Sequence, residues 1–339
     1  MPTVQPLNKW DKDMKLHETL NINLSRINRA IEHIVKSDKD VPSSSIISKS
    51  ILSLIRSGGK RVRPLMVMVG SRFGTQTPGD RQIQLAAAAE FIHAASLIHD
   101  DIIDRSDMRR GQPSMHINTG VSEAIYIGSY MSARIIELLS ADSSGRDHYV
   151  HDLSAIATAQ LCLGEYEQLE HRYDYDLTLE QYLEKSRNKT AQLMATCLRV
   201  GALSTEADPE VAELLYKFGN FLGMSFQIQD DLLDFTQTSE TLGKPAGSDL
   251  IQGQVTLPVI YALQNPELAA DIRSIHATST SVEINDAIDA IRSSGALEQT
   301  EQLSHYYLEK AQSIIDQLSS FSAHQDLQSL LHYFAGRDH

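Results

Sequence analysis

The stretch QIQLAAAAEFIHAASLIHDDIID, residues 82–104, decides the fold. From Leu85 through Ile98 it is apolar or alanine almost all round, with no polar stripe for water. Such a run predicts a helix from Gln82 to Asp104 buried in the middle of an all-α fold, its acidic end DDIID emerging from the core. A second apolar helical run, expected from Glu210 to Phe235, ends the same way in GMSFQIQDDLLD, residues 223–234. Asp100 and Asp104, like Asp230 and Asp234, share a helix face, while Asp101 and Asp231 point partly aside. Like charges at that spacing repel, and a helix C-terminus disfavours anions. A hard divalent cation reverses the local field. Mg²⁺ suits the pattern, because it takes one or two carboxylates, keeps waters and completes its shell with phosphate oxygens. One such acidic helix end reads as a solvated surface; two beside buried helices point to metal-diphosphate binding.

Working outward, helical periodicity predicts helices over Met14–Val35, Ile46–Arg56, Glu123–Leu139, His151–Glu170, Leu179–Ala202, Thr256–Leu263, Val282–Ser293 and Leu297–Leu318. Short polar breaks separate them, none long enough for an interdomain linker. One domain over residues 1–339 is expected, with 1–45 as a helical extension of a catalytic core at 46–339.

The net charge of -14 excludes a general attraction to nucleic acid or anionic membrane. An anionic substrate must therefore be held by metals or by a local basic cluster. Cys162 and Cys197 stand alone, which suggests neither a zinc site nor a disulfide and reads as two small buried hydrophobes. No apolar run approaches the roughly 18 residues of a membrane span, and Met1–Lys15 lacks a signal-peptide core. The cytoplasm is the expected location.

Basic elements supply the candidates. Arg56-Ser-Gly-Gly-Lys60-Arg61-Val-Arg63-Pro64 sets three cations beside a Gly-Gly turn, either an anion seat or a basic helix start. Arg109-Arg110-Gly111 lies within one loop of Asp104. His93, two turns before Asp100 on its face, is either a core histidine or a ligand-facing one. Gln227 falls on the motif side of its helix. Lys189-Thr190 alone reads as an ordinary surface pair. Residues 236–258, rich in turn formers, suggest a flap over the site.

Together GGKRVRPL (58–65), HAASLIHDDIIDRSDMRRGQPSMH (93–116), CLGEYEQ (162–168), RNKTAQL (187–193) and GMSFQIQDDLLD with its continuation to Pro258 resemble the trans-prenyl (polyprenyl) diphosphate synthases over nearly the whole chain. The resemblance implies an isoprenoid-synthase-type bundle of mostly antiparallel helices around a central apolar cavity. It implies condensation of isopentenyl diphosphate with an allylic diphosphate, farnesyl diphosphate being the expected starter. Asp100, Asp104 and Asp230 would hold Mg²⁺, three ions with substrate bound, supported by Asp101, Asp231 and Asp234. Arg109, Lys189, Thr190, Gln227 and Lys244 would contact the allylic diphosphate. Lys60, Arg63, His93 and Arg110 would form the isopentenyl diphosphate site, and Ala95 and Ser96 would leave a passage open for a long product.

Two positions depart from the pattern: Gly128-Ser129 where Gly-Asp is frequent, and Gly253-Gln254 where Gly-Lys is frequent. A neutral residue at the second resembles component II of two-component hexaprenyl and heptaprenyl diphosphate synthases. The expectation is a quinone side-chain precursor (menaquinone biosynthesis), made by a homodimer or by a heteromer with a small regulatory subunit. Short-chain farnesyl or geranylgeranyl synthases, a terpene cyclase and a non-catalytic subunit are the alternatives.

Overall fold

The computed structural model describes residues 15–141, 148–237 and 247–336, and among them every element except one two-stranded ribbon is helical. Two helices carry the motifs. Asp80–Ile103 runs through the middle with Leu85, Phe91, Ala95 and Ile98 each at most 1% exposed, and Pro209–Thr236 buries Phe218, Leu222 and Ile228. One apolar cluster gathers about the first helix, and a second joins the end of Pro209–Thr236 to Leu257, Ile288 and Ile291. Both acidic motifs lie in the last turns of their helices, as the sequence implies.

Several elements differ from expectation. Met14 lies outside the described residues, and the run to Val35 is broken rather than continuous. Leu16–Thr19 ends at Asn21, whose φ of 51° is left-handed, and Leu24–Lys36 restarts where the Asn23 side chain accepts from Ser25 N–H. Asparagine tolerates both roles. Val62–Gly70, Pro266–Arg273 and His324–Ala335 are helices not foreseen. In the first of these, Pro64 sits in the opening turn, where its missing N–H costs nothing. Cys162 is exposed on the Ala157–Glu170 helix, not buried; Cys197 is buried.

The helix expected over 179–202 exists but contains a π-turn. Between Leu179–Ser186 and Gln192–Leu203, the Gln192 N–H donates to Arg187 O, five residues back. A second π-turn, Asp152–Ile156, precedes Ala157–Glu170. Such turns insert one residue without ending the helix.

Two close approaches fix the site. A Cβ on Gly164 would lie 2.4 Å from Lys189 N, and one on Gly223 would lie 2.5 Å from Ala191 Cα. Three helix backbones therefore converge at residues 189–191, one turn above Gln227.

Candidate active site

At the first motif, Asp101 is 2% exposed and is held by the Arg109 guanidinium, whose Nε lies 2.8 Å from Oδ1. Arg109 reaches it from a ribbon, Met108–Arg109 paired with Gln112–Pro113, that turns on Arg110 and Gly111, both at positive φ. Asp100 and Asp104 each leave a buried Oδ1 without a hydrogen-bond partner. Burial, and then the negative charges of Glu165 and Asp104, push the Asp100 carboxyl up to about 7, against the pull of Lys189 and Arg109. Arg172 approaches Asp104 at 3.5 Å.

At the second motif the aspartates are committed differently. Asp231 accepts from Tyr182 Oη at 2.6 Å and from Gln227 Nε2 at 3.0 Å, while burial pushes its carboxyl up. Asp234, 1% exposed, accepts from Ser248 Oγ at 2.8 Å and Asp249 N–H at 3.0 Å, anchoring the return of the chain at 247–249. Asp230 is only half-buried.

Lys189 bridges the two halves. Its Nζ lies 2.9 Å from Glu165 and 3.0 Å from Gln168; burial lowers its pKa, but Glu165 and Asp100 outweigh that and raise it. Thr190 Oγ1 donates to Gln227 Oε1 at 2.7 Å. A cavity of about 170 Å³ lies between the motifs, with Asp104, Lys189, Gln227 and Asp231 on its wall.

On the other flank of Asp100, Arg63, Arg109 and Arg110 surround His93. Burial and then these guanidiniums hold its imidazole well below its ordinary pKa, so it is neutral. Arg63 is partly exposed, with its buried Nε unpartnered, and Arg110 donates to Gly58 O. Arg61, one of the three cations beside the Gly-Gly turn, points inward instead and pairs with Glu90 at 2.6 Å, both nearly fully buried. Lys60 stands 5.5 Å above the Tyr333 ring. Lys244, with the rest of 238–246, lies outside the described residues.

The arrangement therefore brings Asp104, Asp231, Gln227 and Lys189 around one polar cleft, with Asp100 and Thr190 adjoining it and Arg63, His93 and Arg110 beside it, whereas Asp101 lines a separate pocket with Arg109. Sequence reasoning missed Glu165, Arg172, Tyr182 and Lys185. Their signal was faint: Glu165, Tyr182 and Lys185 are ordinary helix residues, Arg172 follows a helix end, and the groups they face lie on other elements. Among the described residues, no three carboxylate, imidazole or thiol groups converge closely enough to enclose an ion alone. The unpartnered Oδ1 of Asp100, and Asp104 Oδ1 with only the 3.5 Å approach of Arg172, fit an Mg²⁺ that draws its remaining ligands from phosphate and water.

The raised Asp100 pKa has a stability consequence. Between pH about 4 and about 7, the folded chain holds a proton on Asp100 that the unfolded chain has released. Its contribution to metal-free stability falls as pH rises through that window. Asp100→Asn removes the dependence, so in denaturant titrations without divalent ions the variant gains on the wild type between pH 5 and pH 8. Parallel stability curves would remove the assignment.

Two carboxylate motifs facing across a cleft flanked by cations define an all-α enzyme for a polyanionic, metal-complexed substrate. Residues 44–291 match the Polyprenyl synthetase family. The chain is 39% identical over 324 residues to heptaprenyl diphosphate synthase component 2 of Geobacillus stearothermophilus, covering 96% of this chain and 98% of that protein. The heptaprenyl diphosphate synthase structure from Staphylococcus aureus superposes with a TM-score of 0.86 at 33% identity, covering 96% and 99% of the two chains. A Caulobacter crescentus polyprenyl synthase, complexed with calcium and isoprenyl diphosphate, gives 0.84 at 33% identity over 96% and 98%. The chain belongs to the polyprenyl synthetase family, whose members are Mg²⁺-dependent prenyltransferases with the all-α isoprenoid synthase fold. No described helix is long and apolar enough to cross a membrane.

Proposed function

We propose that this chain is a medium- to long-chain all-trans polyprenyl diphosphate synthase that adds isopentenyl diphosphate head to tail to an allylic diphosphate such as farnesyl diphosphate. The observation that carries the reading is the pair of anion seats at the end of one buried apolar helix: the cleft between the aspartate motifs, and the arginine cluster about His93. The first seat takes the allylic diphosphate and the second takes isopentenyl diphosphate.

Asp100, Asp104 and Asp230 would hold Mg²⁺, three ions with substrate bound, and the metal would supply the positive charge that a departing diphosphate needs. Lys189, Thr190 and Gln227 orient that diphosphate, with Arg109 positioning Asp101 beside it. Arg63, Arg110 and Lys60 fix the isopentenyl diphosphate. Neutral His93 lines that seat without adding a charge. The apolar side chains below Asp100 keep water from the allylic cation until the isopentenyl double bond attacks it. The released diphosphate is the expected acceptor of the proton that is lost.

A heptaprenyl-like product for quinone side chains follows from the relatives' names and from the small residues Ala95 and Ser96. The designation component 2 of the Geobacillus protein supports assembly with a small second subunit; a homodimer is the alternative. A terpene cyclase is disfavoured by the second motif and by the separate arginine cluster.

Mass spectrometry of products from the purified chain with Mg²⁺, farnesyl diphosphate and isopentenyl diphosphate tests the reading. Elongated products that require isopentenyl diphosphate are expected. Cyclised hydrocarbon formed without it would overturn the assignment. Full long-chain activity from the chain alone would reject a required second subunit while leaving the chemistry intact.

A further inference from the structure

Lys185 lies on the Leu179–Ser186 helix, four residues before Lys189, and is 6% exposed. Its ammonium forms no ion pair and no hydrogen bond with a described residue, and stands 5.6 Å from the centroid of the Tyr182 ring. It lines the 170 Å³ cavity between the motifs. Of the carboxylates that act on it, Asp231 already accepts from Tyr182 and Gln227, and neither Asp249 nor Glu167 forms an ion pair with it. Burial lowers the Lys185 pKa from its ordinary value, although Asp231 and Asp249 work the other way.

Further donors on the same wall lack acceptors. Gln254 Nε2 and Thr256 Oγ1 are buried and unpartnered, and both residues are 6% exposed. Water could satisfy the amide and the hydroxyl. It does not replace an anion for an ammonium held this far from bulk solvent. Beside the carboxylates of Asp104, Asp231 and Asp249, the wall therefore offers the ammoniums of Lys189 and Lys185 and the unpartnered neutral donors to a metal-complexed, acceptor-rich guest.

We infer that Lys185, Gln254 and Thr256 seat a phosphate group of the organic diphosphate bound between the two aspartate motifs, with Lys185 supplying the positive charge that Gln254 does not. This rests on the diphosphate-condensing reading above and assigns binding residues that the motifs do not include. The seat shares its cavity with Asp104 and Asp231, so a metal-complexed diphosphate there would meet both carboxylate and ammonium.

Calorimetric titration of the full chain with inorganic diphosphate and Mg²⁺ tests the seat without turnover. Lys185→Met should weaken binding about tenfold or more, the scale of one charge-assisted hydrogen bond. The melting temperature of the ligand-free protein should hold or rise, because an unpaired buried charge is removed. Lys185→Arg should bind within about threefold of wild type, and adding Gln254→Lys to Lys185→Met should recover most of the loss. Binding by Lys185→Met within about twofold of wild type, or a double variant as weak as the single one, would overturn the inference. If Lys185→Met fails to fold, Lys185→Gln is read by the same criteria. Wild-type chain that binds diphosphate but makes no prenyl product would remove the functional reading alone. Prenyl elongation with unchanged Lys185→Met binding would remove the seat alone.

Discussion

Asp100→Asn lowers prenyl-transfer turnover by about 10²–10³ at saturating Mg²⁺, a loss comparable to removing one preorganised charge-stabilising group. Asp230→Asn is expected to do the same. The Asp100 carboxylate has a buried oxygen with no protein partner and a pKa pushed up to about 7, the signature of a group held ready for a cation the protein does not itself supply. Asparagine keeps the shape and removes the charge, so the variant should fold and, above neutral pH, resist denaturant better than wild type. In the second motif Asp231 and Asp234 accept hydrogen bonds from the protein, and half-buried Asp230 is the residue that the family resemblance assigns to the metal. Steady-state turnover against Mg²⁺ concentration checks both. Near-wild-type turnover in either folded variant would sink the metal assignment.

Ser96→Phe shortens the product toward farnesyl or geranylgeranyl length while the first condensation on a short allylic starter keeps its rate. Ser96 lies one turn below Asp100, about 6 Å deeper along the helix, and is partly exposed, with its Oγ donating to His93 O at 3.0 Å. About two turns further down, a cavity of about 670 Å³ opens beside Ala87, Ala88, Ile34 and Leu138. A tail descending from the metals toward that space passes Ser96, where a phenyl ring would form a floor. Ala95→Phe should shift length in the same direction. At 1% exposure, however, Ala95 is packed, and overfilling that site costs about 1–3 kcal/mol. Ser96→Phe is the cleaner probe. Product lengths by mass spectrometry decide, and unchanged long products from a folded Ser96→Phe enzyme would show that the tail runs elsewhere.

The legible part of the molecule was what one helix states about itself. The all-round apolar character of 85–98 marked the central helix, and the four-residue spacing of its aspartates marked the face they share. Relations between helices were hidden. Arg61 looks like Arg63 in sequence, yet its left-handed backbone at φ 52° turns it to Glu90 while Arg63 faces the site. Lys189-Thr190 reads as a surface pair because Glu165, Gln168 and Gln227 come from other helices. Lys185 carries no local sign of its burial, because the residues that enclose it lie on other elements. The break at Asn21 and the helix starting behind Gly58-Gly59 were obscured by the tolerance of Asn and Pro for both turn and helix positions.

The π-turn at Arg187–Ala191 also bears on how this chain should be aligned with others. One surplus residue there rotates everything before it by about 100° relative to everything after it. Tyr182 and Lys185 face the cavity in a phase set by that surplus, whereas Gln192 onward keeps its own. Counting back from the Lys-Thr pair in a relative finds the counterpart of Lys185 only if that relative carries the same bulge. Where the bulge is absent, a gap-free alignment can pair Lys185 with a residue that faces another way, and the cation for this corner of the site would have to be sought at a neighbouring position.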